Sequence, residues 1–357
     1  MKLIIVAGAR PNFMKVAPLL WEIGRRPGIS AQLVHTGQHY DRAMSDLFFE
    51  QLAIPRPDFN LGVGSASHAV QTAEVMTRFE PILNDHRPDA VIVVGDVNST
   101  LACALVAVKL GVPVAHVEAG LRSFDRSMPE EINRIVTDAI SHWLFVSEPA
   151  GVDNLRREGV PEERIHLVGN VMIDTLLAMK PISEQSDILN QLGLVGREYA
   201  VLTLHRPANV DQPEILGGIG RAIQEIAQDR PIVFPVHPRT RAALAGPLAG
   251  VHLVDPLGYL DFLRLLSQAR LVLTDSGGIQ EETTMLGVSC LTLRENTERP
   301  VTIDQGTNQL VGRDTGKILA AARMVLASPP PATPPQVKFW DGKAACRILD
   351  KLMESDT

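Results

Sequence analysis

Short runs of β-branched and aliphatic residues alternate along the chain with longer segments whose apolar positions recur at helical spacing. KLIIVA (2–7), AVIVVG (90–95), PVAHVE (113–118) and RIHLV (164–168) show little polar alternation and read as strands buried on both faces. The rhythm restarts with YAVLTL (199–204), PIVFPV (231–236), HLV (252–254), LVLTD (271–275) and SCLTL (289–293). Apolar strands separated by helices predict parallel sheets. Two such series predict an α/β chain with two doubly wound, Rossmann-like domains. We place the boundary after the strand at 164–168, giving an N-terminal domain over 1–168 and a C-terminal domain over 169–357. The segment SPPPATPP (328–335) is a stiff connector. Beyond it Ile348, Leu349 and Leu352 sit at helical spacing, so a last helix over about 340–357 can pack on either domain, including back on the N-terminal one.

Ligands of open α/β sheets bind beyond the carboxyl ends of the strands. The residues there are Gly8-Ala9-Arg10, Gly95-Asp96, Glu118, His205-Arg206, His237 and Asp275-Ser276-Gly277-Gly278. The stretch AHVEAGLRSFDRSMPEEINR (115–134) is the most crowded with charge. After Pro129 it predicts a helix with Ile132, Ile135, Val136, Ala139 and Ile140 on one stripe and Glu130 and Arg134 nearly opposite. A capping box from Ser127 to Glu130 and an i,i+4 ion pair from Glu130 to Arg134 account for Glu130 as a structural residue. Neither accounts for Glu118 or Asp96, each at a strand end. If both strands are central, these carboxylates converge, and like charges at close range raise at least one pKa toward the range useful for acid and base work.

In TDSGGIQEE (274–282) a strand ends, two glycines follow and a helix opens, an arrangement that admits phosphate to backbone N–H groups. Glu282 lies one turn after Gly278 and can accept from a ribose diol. A plain strand–helix turn with a solvated glutamate pair reads equally well from this stretch alone. In GARPNFMKVAPLL (8–20), Arg10 and Lys15 can serve as anion partners, although a solvated basic pair on an amphipathic helix is the simpler reading. His205 ends the first strand of the second series with Arg206 beside it, which favours a ligand contact.

Composition narrows the classes. The 357 residues carry a formal charge of −7 and are 45% hydrophobic, which supports two cores and argues against a general nucleic-acid binder. Cys103, Cys290 and Cys346 are odd in number and widely spaced, so neither a disulfide framework nor a zinc site is expected, and the histidines form no metal-ligand spacing. Full G-x-G-x-x-G and Gly-Lys-Ser/Thr phosphate-loop motifs are both missing, which disfavours a nicotinamide cofactor and ATP chemistry and leaves a nucleoside diphosphate as the better ligand. The first apolar run is too short for a signal peptide and no run is long enough to span a bilayer, so a cytoplasmic setting is expected.

Taken together, GARPNFMKVAPL (8–19), TGQH (36–39), GDVNST (95–100), VEAGLRSFDRSMPEEINR (117–134), LHRPAN (204–209), PVHPRT (235–240), DPLGYLDFL (255–263), TDSGGIQEE (274–282) and LRENTERP (293–300) resemble the non-hydrolysing UDP-N-acetylglucosamine 2-epimerases. The resemblance implies the glycosyltransferase-B architecture with its active site in the cleft between the domains. It also implies isomerisation at the second sugar carbon by elimination and re-addition of UDP, without a cofactor or metal. Asp96, Glu118 and Glu130 match the family's catalytic carboxylates, and His205 its catalytic or diphosphate-contacting histidine. Arg10 and Lys15 match substrate contacts, and Ser276, Gly277 and Gly278 match the diphosphate loop. Glu282 matches the ribose carboxylate, and Phe262 the residue beside the uracil. Gln38 and His39 resemble part of a second, activating UDP-sugar site. A homodimer and a role in cell-envelope polysaccharide synthesis are further implications. Ala9 and Asn12 stand where many relatives have Thr and Glu, and Pro207-Ala208-Asn209 lacks a glutamate usual there. These departures leave open a modified UDP-sugar substrate. A glycosyltransferase of the same fold and a UDP-sugar sensor are the remaining alternatives.

Overall fold

Two parallel sheets organise the computed structural model, which describes residues 1–37, 49–244, 246, 248–330 and 333–354, the side chains of Arg10, Pro238 and Arg239 excepted. The chain divides into two compact units, Met1–Leu177 with Lys338–Thr357, and Ala178–Val337. It passes from the first to the second within the helix Val171–Ser183.

The first unit holds β1 (Lys2–Ala7), β2 (Ser30–His35), β3 (Phe59–Asn60), β4 (Ala90–Val94), β5 (Val114–Ala119), β6 (Trp143–Val146) and β7 (Ile165–Leu167) in the order β3-β2-β1-β4-β5-β6-β7. β1 and β4 are buried along nearly their whole length because helices cover both faces, which is why they read as unbroken apolar runs. Val75, Phe79 and Leu83 of the helix His68–His86 share one core cluster with Val91 and Val93 of β4 and with Ala104 of the helix Asn98–Lys109. Each fully buried aliphatic or aromatic side chain of this kind contributes about 1.5–3 kcal/mol. The last helix, Ala344–Glu354, belongs to this unit, where the Asp174 carboxylate accepts from the N–H groups of Ala344 (3.2 Å) and Ala345 (2.8 Å).

The second unit holds β8 (Ala200–Thr203), β9 (Ile232–Pro235), β10 (Val251–Val254), β11 (Leu271–Thr274), β12 (Cys290–Thr292) and β13 (Asn308–Leu310), ordered β10-β9-β8-β11-β12-β13. All strand pairs in both sheets are parallel. In each sheet the chain first runs outward to one side and then returns to build the other. The reversal falls between β1 and β4 in the first unit and between β8 and β11 in the second, and connections leaving such neighbours part and open a crevice.

One helix departs from its expected orientation. Pro129–Ile140 buries Glu131, Asn133, Arg134, Thr137 and Asp138, while Ile132, Val136 and Ala139 are exposed. Three of the five positions of the apolar stripe read from the sequence thus face outward, while Ile135 and Ile140 are half-buried and Ile140 packs against the core. The polar side faces inward because each buried charge there has a partner at the ends of β4 and β5.

Candidate functional site

The first group of site residues assembles at the ends of β1, β4 and β5. After β1, the Asn12 side chain accepts from the N–H groups of Gly8 (3.1 Å) and Ala9 (2.9 Å), fixing the start of the helix Arg10–Ile23. Lys15, on the second turn, is buried and ion-paired with Glu118. Glu118 has φ +71°, a left-handed conformation for a residue with a side chain, at the point where the β5–β6 register shifts between Val117 and Ala119. Such a conformation costs about 1–3 kcal/mol and recurs where a bulge re-aims a functional side chain. Gly95, at φ +68°, approaches the pair so closely that a Cβ would lie 2.7 Å from Lys15 Nζ and 3.1 Å from Glu118 Oε2. This turn delivers Asp96, whose Oδ2 is 2.5 Å from Arg134 Nη1 and whose side chain stays 26% exposed.

The adjacent glutamates separate into two roles. Glu131 is buried and accepts from Ser123 N (2.9 Å), Ser123 Oγ (3.0 Å), Phe124 N (2.9 Å) and Arg134 Nη2 (2.7 Å). Burial works to raise its carboxyl, and those donors with the Arg134 charge outweigh it and hold it low. Glu130 is half-buried, and no hydrogen bond or ion pair involves it among the described residues. Both structural accounts of Glu130 are therefore corrected. The helix is capped at Met128 without a side-chain bond, and Ser127 Oγ instead donates to Asp125 Oδ1 at 2.6 Å. Arg134 pairs with Glu131 and Asp96.

The second group sits at the ends of β8 and β11. His205 follows β8, with Nδ1 2.7 Å from Asp275 Oδ1 and a side chain 58% exposed. Asp275 is fully buried and also accepts from the N–H groups of His205 (3.1 Å) and Arg206 (3.0 Å) and from the Asn209 amide (3.1 Å). Burial works to raise the Asp275 carboxyl, and the His205 ring and these donors overcome it, so it lies below its ordinary value. A carboxylate on Nδ1 keeps a proton there and fixes the ring with Nε2 turned outward. After β11 the helix Gly277–Leu286 opens at Ser276 with no side-chain cap, leaving first-turn N–H groups for a ligand. A Cβ on Gly277 would lie 2.4 Å from Arg299 Nη1, so glycine is required for that guanidinium to reach the loop.

Behind the loop, Glu298 meets Arg299 (2.6 Å), Arg294 (2.7 Å) and Arg206 (3.4 Å), and Arg299 Nε also meets Glu281 (2.8 Å). Burial opposes ionisation of Glu298, and the Arg299, Arg294 and Arg206 charges outweigh it and hold its carboxyl well below the usual range. The guanidiniums of Arg206, Arg294 and Arg299 thus gather beside the helix N-terminus, donors of a kind suited to a diphosphate. Glu282 is buried and accepts from the Tyr259 hydroxyl at 3.0 Å. Burial pushes its carboxyl up to about 7, with the hydroxyl opposing and Glu281 assisting. Phe262 is partly buried on the helix Tyr259–Ser267.

Thus Lys15, Asp96, Glu118 and Glu130 belong to the first unit, and His205, Phe262, Ser276, Gly277, Gly278 and Glu282 to the second. Arg10 begins a helix and its side chain is not described, and Gln38 and His39 lie outside the described residues. Sequence reading missed Asp275 as the partner of His205 and Arg299 as the neighbour of Gly277. The first stood among the strand-end residues, and the second lies inside LRENTERP. Among the described residues no group of His, Cys, Asp and Glu is placed to hold a metal ion, and no helix is long and apolar enough to cross a membrane.

Two doubly wound parallel units with acidic strand ends on one and an anion loop on the other define a nucleotide-sugar enzyme of the glycosyltransferase-B type. The glycotransferase of kitacinnamycin, only 12% identical, shares this fold with a TM-score of 0.61 over 99% of this chain and 98% of its own. The family model described as UDP-N-acetylglucosamine 2-epimerase matches residues 21–353, and the chain belongs to that family of isomerases. It is 42% identical to the UDP-N-acetylglucosamine 2-epimerase of Methanocaldococcus jannaschii over 363 residues, 98% of each chain. The crystal structure of the M. jannaschii enzyme in complex with UDP-GlcNAc and UDP matches with a TM-score of 0.92 over 99% of this chain and 100% of that one. The chain is also 42% identical, over 91% of its length and 92% of the relative's, to UDP-2,3-diacetamido-2,3-dideoxy-D-glucuronate 2-epimerase of Pseudomonas aeruginosa.

Proposed function

We propose that the protein interconverts UDP-N-acetylglucosamine and UDP-N-acetylmannosamine by eliminating UDP and adding it back. The observation that carries this reading is the strained Glu118 carboxylate, paired with Lys15 against the Gly95 turn that bears Asp96. The second sugar carbon has no neighbouring carbonyl, so simple removal and return of its proton is too costly. In the elimination a base takes that proton, the carbon–carbon double bond forms, and the bond from the first carbon to the UDP oxygen breaks. Re-addition of UDP, with protonation of the second carbon from the other face, completes the inversion. Asp96, Glu118 and Glu130 divide the proton transfers. His205, aligned by Asp275, and the Ser276–Gly278 loop with Arg206 and Arg299 stabilise charge growing on the leaving diphosphate. In deuterated water, incubation with UDP-N-acetylglucosamine is expected to give the manno product with deuterium on the second sugar carbon. Product without label, or no product, overturns the proposal.

A second reading is the same chemistry on a diacetamido uronic acid sugar. The Pseudomonas relative, equal in identity to the Methanocaldococcus one, favours it, as do Ala9 and Asn12. Comparing kcat/KM across the two UDP-sugars decides between them.

Glu282 as the ribose carboxylate gives binding a pH dependence. Its carboxyl titrates near 7 without ligand, and hydroxyl donors favour the ionised form. UDP-N-acetylglucosamine, whose diphosphate has no terminal phosphate to titrate in this range, therefore binds more weakly as pH falls below about 7, and its affinity levels off above it. Calorimetry in buffers of different ionisation enthalpy should detect proton release on binding below pH 7, and Glu282→Gln should abolish the release. A Kd independent of pH in the parent protein removes Glu282 from the ribose site.

The outward stripe of Ile132, Val136 and Ala139, spaced along one helix face, supports a homodimer whose second copy covers it. Light scattering after size exclusion should give a dimer mass for the parent and a monomer mass for Val136→Asp. A monomeric parent contradicts the dimer.

A further inference from the structure

His116 lies in β5 and is fully buried. Its Nδ1 is 2.6 Å from Asp138 Oδ1 and its Nε2 is 2.8 Å from the carbonyl oxygen of Gly95. Both neighbours are acceptors, so both ring nitrogens donate. Asp138 also accepts from the N–H of Gly120 (3.0 Å) and pairs with Arg122 Nη1 (2.7 Å). Burial works to raise the Asp138 carboxyl, and the His116 and Arg122 charges outweigh it and keep it low. One buried node thus holds the turn that follows Glu118, at Gly120, and the turn that precedes Asp96, at Gly95. The Gly95 N–H is bound to Val117 O at 3.0 Å, and His116 takes its carbonyl.

We propose that His116 is a positioning residue that locks the Gly95 turn, and with it Asp96, onto the frame that carries Glu118. The proposal rests on the reading of Asp96 and Glu118 as proton-transferring groups. A ring that only filled space between strand and helix would need no donor on either side. A ring that sets the reacting geometry needs its Nε2 donor above all, because displacements of about 1 Å at a reacting group cost about a hundredfold in rate.

The two ring nitrogens can be tested separately. His116→Gln keeps a donor near the Nε2 position and loses the one toward Asp138. His116→Asn does the reverse. His116→Asn is expected to lower kcat about 10- to 100-fold with KM little changed, and His116→Gln to stay within about threefold of the parent. Hydrogen exchange over residues 93–99 should quicken in His116→Asn and stay near the parent rate in His116→Gln. Equal turnover and equal exchange in the two variants overturn the proposal, as does faster exchange with unchanged kcat. Should His116→Asn fail to fold, His116→Gln carries the test: parent-like kcat and exchange are expected, and a loss of kcat of about tenfold or more overturns the proposal. Asp96→Asn is run in parallel. If it turns over like the parent, the assignment of Asp96 fails, while the exchange difference still decides whether His116 holds the turn.

Discussion

Glu118→Gln is expected to lower turnover by about 10²–10⁴-fold, the range of a general acid or base, with UDP affinity little altered. The side chain keeps its shape and its hydrogen-bonding reach and loses its capacity to exchange a proton. The substitution has a second consequence that must be separated from the first. Lys15 is buried against Glu118, and a neutral partner leaves its ammonium without a counter-charge. Breaking a buried pair from one side destabilises by about 3–5 kcal/mol. Adding Lys15→Met to Glu118→Gln removes the orphaned charge, so the double variant should recover much of the stability and none of the turnover. Thermal unfolding together with deuterium incorporation at the second sugar carbon reads both quantities. Turnover that returns with stability would make Glu118 a partner for Lys15 and nothing more.

The parts of this site that were legible in the sequence share one property: they are polar residues that stop an apolar run. Asp96, His205 and the Ser276-Gly277-Gly278 turn each follow a buried strand and Glu118 stands next to last in one, and parallel topology then places such residues at the carboxyl ends of the strands. β2, β3, β6 and β13 were not foreseen. β2 begins with polar residues, β6 has four residues, and β3 and β13 are two- or three-residue edge strands, so none carries a long apolar signal. The orientation of Pro129–Ile140 was misread for a different reason. Periodicity shows that a helix has two faces and does not say which one is inside. Here the ion pair from Arg134 to Asp96, the bonds from Glu131 to Ser123 and Phe124, and the pairs from Asp138 to His116 and Arg122 drew the polar face in. Asp275 and Arg299 were in plain view as residue types, but their functions depend on distances between segments far apart in sequence.

Glu130→Gln and Glu131→Gln should both lose turnover and differ in stability, although the two residues are neighbours at the start of one helix. Glu131 closes the turn at Ser123 and Phe124 and neutralises Arg134. Making it neutral leaves Arg134 with Asp96 as its remaining carboxylate partner among the pairs described above, and stability should fall by about 2–4 kcal/mol. Turnover should fall as well, because Arg134 would then draw Asp96 more strongly and hold its charge. Glu130 makes no bond that folding depends on, so Glu130→Gln should unfold within a few degrees of the parent. If it is one of the proton-transferring acids, its turnover should nevertheless fall at least about a hundredfold. A salt bridge engineered onto Glu130, for example by Ser127→Arg, should mimic part of that loss by pulling the carboxylate away. Unfolding curves and label incorporation measured on both variants separate the roles. Parent-like turnover in Glu130→Gln would leave Asp96 and Glu118 to carry both proton transfers between them.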